Sequence, residues 1–250
     1  MNSTQFDTSK PVLEIKDLHK SFGELHVLRG FNLKLYEGEN LVLMGKSGAG
    51  KSVLIKCMVG LLDPDEGSVE ILGKNIEGIN RKDMDILRTN IGFLFQGSAL
   101  YDSMTVRENL EFPLRRHLNK KELKNTDELV LEALSNVGLA DAINLMPEEL
   151  SGGMQRRIAL ARALILKPKI ILYDEPTTGL DPITAKEIIE LMSNIQKKYK
   201  TSSLIITHDV DCARVVSNRM ILLLDGINYA EGTFQELQLK EDPKIKAFFK

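Results

Sequence analysis

Apolar positions along this chain change period several times, and the changes mark out its elements. Val12-Leu13-Glu14-Ile15 alternates as a half-buried strand does, and a second short strand is predicted from Leu33 to Tyr36, with Gly23 and Glu37-Gly38 as turn punctuation. Asn40-Leu41-Val42-Leu43-Met44 is instead a nearly continuous apolar run, the pattern of a strand covered on both faces. A helix is predicted from Ser52 to Leu62, closed by Asp63-Pro64-Asp65-Glu66-Gly67. Ser68 to Leu72 then reads as a strand, Asp83 to Thr89 as a helix and Ile91 to Phe95 as extended. From about Thr105 to Gly138 strand runs give way to helical ones, such as Asp127 to Val137 with Leu129, Val130, Ala133, Leu134 and Val137 on one face. Strand–helix alternation resumes with Ile170 to Tyr173, a helix from Pro182 to Tyr199, Ser203 to Thr207, a helix from Asp211 to Ser217, and Met220 to Leu224. That order predicts an α/β domain with parallel strands and an inserted helical lobe.

Composition narrows the partners. The 250 residues are 43% hydrophobic, enough for one large domain with an inserted lobe. Basic and acidic residues nearly cancel, leaving a net charge of −2, so nucleic acid is not an expected partner. Cys57 and Cys212 stand far apart and in no metal-ligand spacing, and are expected to be buried thiols in a reducing compartment. The first ten residues lack the apolar stretch of a signal peptide. The longest apolar runs, such as Ile221 to Leu224, fall far short of the ~20 residues of a membrane helix. The chain is therefore expected to be soluble and to meet a membrane only through a partner. Arg115-Arg116-His117-Leu118-Asn119-Lys120-Lys121 is locally basic, either a solvated helix face or a contact for anionic headgroups. Asn119-Lys120-Lys121-Glu122 superficially resembles a guanine-reading Asn-Lys-x-Asp, but its fourth residue is wrong and it falls in the helical lobe.

Three motifs carry the chemistry. Gly45, Lys46, Ser47, Gly48, Ala49, Gly50, Lys51 and Ser52 form a complete G-x-x-x-x-G-K-S phosphate loop between a buried strand and a helix that continues through Val53. Such a loop aims backbone N–H groups and the positive end of a helix dipole at one anion. Lys51 would reach the β- and γ-phosphates, and the Ser52 hydroxyl would ligate Mg²⁺. Next, Lys169 to Pro176 is an apolar strand ending in two carboxylates, where α/β sheets bind ligands. Asp174 is placed to hold Mg²⁺ through its water shell, and Glu175 to accept a proton from an attacking water, a step worth ~10²–10⁴ in rate. Third, Leu150-Ser151-Gly152-Gly153-Met154-Gln155 precedes a helix bearing Arg156, Arg157 and Arg162. Ser151 reads as its N-cap and, with Gly152 and Gly153, offers a second set of free N–H groups. A single phosphate loop, yet two phosphate-grasping elements in all, implies a nucleotide shared between two copies.

Taken in order, these motifs resemble the ATP-binding subunits of ABC transporters from about Val12 to Thr233. The match adds a Q-loop at Gln96 after Phe93-Leu94-Phe95, a D-loop at Gly179-Leu180-Asp181, and a switch histidine in Ile206-Thr207-His208-Asp209. Phe22, in Lys20-Ser21-Phe22-Gly23, matches the aromatic that stacks on adenine. Lys46 stands where the family often has proline, and Met154 where it usually has glutamine. The resemblance implies a P-loop NTPase fold of the ABC ATPase type: a RecA-like α/β core with an antiparallel β subdomain, plus a helical subdomain at about 97–159. This single domain would span 12–240, between a flexible arm at 1–11 and a tail at 241–250. It also implies ATP and Mg²⁺ as cofactors, with Ser52, Gln96 and Asp174 at the metal. Two ATP molecules would lie head-to-tail between two copies, each between one phosphate loop and the other copy's Ser151, Gly152, Gly153 and Asp181. Glu175 would activate water, while His208 and Gln96 sense the γ-phosphate.

Narrower segments resemble the ATPases of MCE-type lipid transporters, the Mla-type lipid-asymmetry system. They are Phe95 to Val106, Glu111-Phe112-Pro113-Leu114-Arg115-Arg116-His117, and Leu145 to Met154. Met154 and the Phe-Pro-Leu stretch belong to that pattern. The resemblance implies integral-membrane permease subunits and an MCE-domain protein as partners, and a place on the cytoplasmic face of a bacterial inner membrane. Phospholipid movement between inner and outer membranes would be the work done. Two alternatives stay open: the ATPase of an amino-acid or methionine importer, and a non-transport ABC ATPase in cell-division signalling. The stretch between Gln96 and Leu150 is too short for the coiled coils of DNA-maintenance members, and a single cassette argues against a translation factor.

Overall fold

The computed structural model describes residues 7–46, 48–119 and 122–249. Ser47 of the predicted loop, and Lys120 and Lys121 of the basic stretch, lie outside the described residues. Long strand β1 (Asp7–Phe22) turns at Gly23 into antiparallel β2 (Leu25–Glu37). Its other edge pairs with β4 (Glu66–Ile71), which hairpins into the two-residue β5 (Lys74–Asn75). The result is an antiparallel sheet ordered β2-β1-β4-β5.

Behind it lies a six-stranded sheet ordered β10-β9-β3-β8-β7-β6. Strands β3 (Asn40–Gly45), β6 (Ile91–Leu94), β7 (Ile170–Asp174), β8 (Ser202–Thr207) and β9 (Arg219–Leu224) run parallel, with Val42 opposite both Ile205 and Met220. Every residue of β3 and β8 is buried, as their apolar runs require of strands covered on both faces. Strand β10 (Ile227–Gly232) closes one edge antiparallel.

The two-residue period of the strands divides the interior. Leu41, Leu43, Leu172, Leu204, Ile206, Ile221 and Leu223 face the antiparallel sheet and helices α1 (Lys51–Met58) and α2 (Arg81–Arg88). Val42, Met44, Ile171, Tyr173, Ile205, Met220 and Leu222 face α6 (Pro182–Tyr199), α7 (Val210–Val216) and α8 (Phe234–Gln238). A third core belongs to the helical lobe: α3 (Val106–His117), α4 (Thr126–Asn136) and α5 (Gly152–Leu164) join through Val106, Leu110, Leu114, Val130, Leu134, Ile158 and Ala161. Helix α5 serves two cores, since Ala159, Leu160 and Leu164 pack on the sheet side. It therefore runs across the boundary expected near residue 159.

Other differences are local. Strand β1 begins at Asp7, inside the stretch expected to be an arm, because Asp7 pairs with Glu37 and Pro11 with Tyr36. Helix α2 starts two residues before Asp83 because the Asn80 side chain caps it, accepting from the Asp83 N–H at 2.9 Å. The expected tail carries a short helix, α9 (Pro243–Lys246), which buries Ile245, while Phe248 and Phe249 pack on the sheet-side core. Phe249 meets Phe234 edge-on, ring centroids 5.3 Å apart.

Candidate active site

Buried β3 delivers its last residue, Gly45, to a turn that ends in α1. The N-cap of α1 is Gly50 at φ 101°, with Val27 Cγ1 2.9 Å from where a Cβ would stand, so only glycine fits. One residue on, Lys51 folds back over the turn, its Nζ donating to the Gly45 carbonyl at 2.7 Å and the Lys46 carbonyl at 3.3 Å. The ammonium is thereby held at the mouth of the loop.

Strand β7 ends beside it. Asp174 is half-buried, and burial raises its carboxyl above the ordinary range; neighbouring Glu175 adds to the shift, while Lys51 and Arg156 oppose it. Glu175 is buried in a left-handed backbone conformation at φ 50°, which costs a non-glycine residue ~1–2 kcal/mol. Its N–H donates to the Ile206 carbonyl at 2.8 Å, tying the strained residue to the next strand. The carboxylate is densely held. Oε2 accepts from the Thr178 hydroxyl at 3.2 Å and the His208 N–H at 3.4 Å, and lies 2.8 Å from His208 Nδ1. Oε1 lies 3.5 Å from Lys51 Nζ. Glu175 thus bridges the phosphate loop and the residue that follows β8. Asp209, next in the chain, caps α7 and accepts the Thr177 hydroxyl at 2.9 Å, joining the ends of β7 and β8 again.

A cleft of about 670 Å³ opens over these groups. Lys46, Gly48, Gly50, Lys51, Ser52 and Val53 line it from the loop and α1, and Gln96, Asp174, Glu175 and His208 from the strand ends. Phe22, half-exposed at the end of β1, forms a wall with Leu25 and Val27. Gly45 and Ala49 belong to the same turn without lining the cleft. The arrangement offers cations and free N–H groups to a polyphosphate, a flat aromatic to a base, and two carboxylates at the far end. Its oxygen donors, Ser52, Asp174 and Gln96, suit a hard cation such as Mg²⁺. Among the described residues no group of three or more His, Cys, Asp or Glu gathers to form an all-protein metal cage. One or two carboxylates, with waters and substrate phosphates completing the shell, is how Mg²⁺ is commonly bound.

Ser151, Gly152, Gly153 and Asp181 are not in this cleft. Ser151 caps α5, its Oγ accepting from the Met154 N–H at 3.3 Å, and Asp181 caps α6, accepting from Ile183 and Thr184 N–H groups at 3.1 Å. These two helix starts touch: a Cβ on Gly153 would stand 2.5 Å from Thr184 Cγ2. A single chain therefore holds two separate polar surfaces. Sequence reasoning missed Thr177, Thr178 and Asp209, of which only Asp209 carried a signal, as a cap residue ahead of a helix. It also missed the contacts of Arg156.

Residues 28–178, in which the loop, Gln96, the Ser-Gly-Gly cap and both carboxylates fall, match the family model for ABC transporters. The chain belongs to the ABC transporter family. It is an ATP-binding, ATP-hydrolysing ABC ATPase with the corresponding P-loop fold. Similar relatives include the methionine import ATP-binding protein MetN of Clostridium tetani, 39% identical over 94% of this chain and 73% of its own. The probable ribonucleotide transport ATP-binding protein mkl of Mycobacterium leprae is 41% identical over 94% and 68%. Protein trigalactosyldiacylglycerol 3, chloroplastic, of Arabidopsis thaliana is 38% identical over 96% and 74%. Among solved structures, the ATP-binding cassette MJ0796, dimeric and bound to ADP and Pi, is 33% identical with a TM-score of 0.80, covering 89% of this chain and 98% of its own.

Proposed function

We propose that this ABC ATPase drives a membrane permease by closing two copies of itself over ATP, and that the cargo is phospholipid handled by an MCE-type system. The separation of the two polar surfaces carries the first half. Lys51 and the loop N–H groups grip the triphosphate, Phe22 stacks on the base, and Ser151, Gly152, Gly153 and Asp181 close over it from the partner copy. MJ0796, a relative seen as a dimer bound to ADP and Pi, supports the pairing of two copies. A ligand that binds the closed state better than the open one biases the equilibrium between them. Glu175 then takes the proton of the attacking water, and His208, 2.8 Å from it, holds the carboxylate and faces the γ-phosphate. Ser52, Gln96 and Asp174 would hold Mg²⁺, which when bound neutralises charge on the phosphoryl oxygens. Among the described residues no helix is long and apolar enough to cross a membrane. In this reading the chain meets the bilayer through permease subunits, on the cytoplasmic face of a bacterial inner membrane.

The lipid assignment rests on one juxtaposition. Two of the three segments that resemble Mla-type ATPases come together around a groove of about 650 Å³ beside Gln96, where Phe95, Tyr101, Phe112, Pro113, Arg116 and His117 sit. Three of its aromatics, Phe95, Tyr101 and Phe112, are exposed at 36–44%. A subfamily signature gathered on one groove of aromatic and basic side chains fits a surface selected for a particular permease. The name of the Arabidopsis relative, that of a galactolipid, is support for a lipid as the class of cargo. Methionine import is the second reading, favoured by the similarity to MetN. Purification from native membranes decides between them: co-purification of a polytopic permease with an MCE-domain protein supports the lipid reading. A methionine permease in its place would overturn it.

A further inference from the structure

Helix α5 carries two arginines whose guanidinium groups point back into the protein and not toward any carboxylate hydrogen-bond partner. Arg156, only 3% exposed, donates from Nη1 to the Phe95 carbonyl at 2.6 Å and from Nη2 to the Thr178 carbonyl at 3.3 Å. Arg162 donates from Nη2 to the Ser98 carbonyl at 3.2 Å and from Nη1 to Asn109 Oδ1 at 3.4 Å. The carbonyls of Phe95 and Ser98 bracket Gln96 and Gly97, which are themselves exposed. Ser98 and Ala99 both adopt left-handed backbone, at φ 60° and 51°, so the bracketed segment is tightly turned. Gln96 is thus an exposed side chain on a short segment whose two ends are fastened to one helix.

Arg156 reaches a second strand tip as well. Thr178, whose carbonyl it holds, donates its hydroxyl to Glu175 at 3.2 Å. Burying a guanidinium with only carbonyl partners costs free energy, and an apolar side chain of similar volume often serves packing as well or better. Arg156 Nε is buried without any partner, which adds to that cost. Asp174 is the neighbouring charge that favours the cationic form, against burial. A charge held at this expense, spanning two catalytic segments, calls for a role that packing does not supply.

We propose that Arg156 is a positioning residue through which the orientation of α5, and of the Ser151 cap at its start, sets Gln96 and Glu175 at the nucleotide cleft. This rests on the reading that Gln96 and Glu175 act on ATP. When the partner's nucleotide engages Ser151 and turns α5, the guanidinium moves with the helix and carries both carbonyls with it. Arg162 fastens the far end of the same segment, so Gln96 follows as a unit.

The test compares Arg156→Met, Arg156→Lys and Arg156→Gln in the intact chain. Misplacing catalytic groups by about an ångström costs up to ~10²-fold. Arg156→Met is therefore expected to lower kcat ~10- to 100-fold at unchanged KM for ATP, with Lys and Gln, which each keep one donor nitrogen, in between. Hydrogen exchange should rise at the amides of residues 96–99 and stay as in the wild type in β3 and α1. Should Met fail to fold, the Gln variant carries the same comparison. Wild-type kcat overturns the proposal, as does a loss matched by raised KM and faster exchange throughout the core. Gln96→Ala and Glu175→Gln, measured alongside, separate the two levels. If they turn over normally, the roles of those residues are wrong. If they are inactive while Arg156→Met is normal, only the positioning role falls.

Discussion

Replacing Glu175 by glutamine separates the chemistry of this site from its binding. The amide keeps the size of the carboxylate and can still meet the Thr178 hydroxyl and His208, so the local structure should hold. Two things change. The proposed proton acceptor is lost, which at a site of this kind lowers turnover by ~10²–10⁴. The attraction between Glu175 and Lys51, 3.5 Å apart, also disappears. At an effective dielectric constant of ~20, direct attraction at that distance is about 4–5 kcal/mol, but both groups surrender hydration to make it. The net worth left after that is ~1 kcal/mol. Lys51 does not drift when freed, because the Gly45 and Lys46 carbonyls still hold it. A γ-phosphate then meets an uncommitted ammonium and no facing carboxylate. ATP should bind about five-fold more tightly, since 1.4 kcal/mol is ten-fold in affinity. Equilibrium titration with a fluorescent ATP analogue reads the affinity, and single-turnover hydrolysis reads the rate. Wild-type turnover, or weaker binding than in the wild type, would refute the reasoning.

Other expectations follow from the same geometry. Because burial raises the Asp174 carboxyl, its contribution to stability is present below the ordinary carboxylate range and lost as pH rises through the raised value. Asp174→Asn should therefore melt above the wild type at pH 8, with the gap closing toward pH ~4, while Mg²⁺-dependent hydrolysis is lost; a gap that widens in acid contradicts this. Glu39, fully buried, is gripped by Arg219 through Nε at 2.8 Å and Nη2 at 2.9 Å. Arg219→Met should cost ~3–5 kcal/mol in denaturant unfolding, most of it recovered by adding Glu39→Gln. Phe22 is half-exposed, so Phe22→Ala should lower the melting temperature by only a few degrees while weakening ATP binding by ~1–3 kcal/mol of lost stacking; an unaltered Kd would remove Phe22 from the site.

Legibility in the sequence varied with how local the cause was. Helix α6 has the bounds its pattern predicts because Asp181 and Pro182 are an N-cap and first-turn pair written in consecutive residues. The buried strands were as plain, since covering both faces leaves little room for polar residues. Strand β10 went unread, although Asp225-Gly226, at φ 52° and 78°, is a hairpin dipeptide that announced it. Strand β2 was seen only in its alternating second half, because Leu25 is exposed and its first half breaks the pattern. For the site, the loop and both carboxylates were visible because each motif is contiguous. The bridge from Glu175 to His208 and Lys51 was not visible as contacts, since it joins three segments distant in sequence. Arg156 looked like any helix arginine, because what sets it apart is a pair of carbonyls supplied by other segments.

Because α5 lends one side to the lobe and the other to the sheet, the lobe is not a detachable module. An excised fragment ending after α5 would present Ala159, Leu160 and Leu164 to water and tend to stick to itself. A cassette rebuilt without the lobe would lose the wall those residues form. Grafting a foreign lobe to redirect such an ATPase to a new permease would therefore have to keep this helix and exchange only what precedes it.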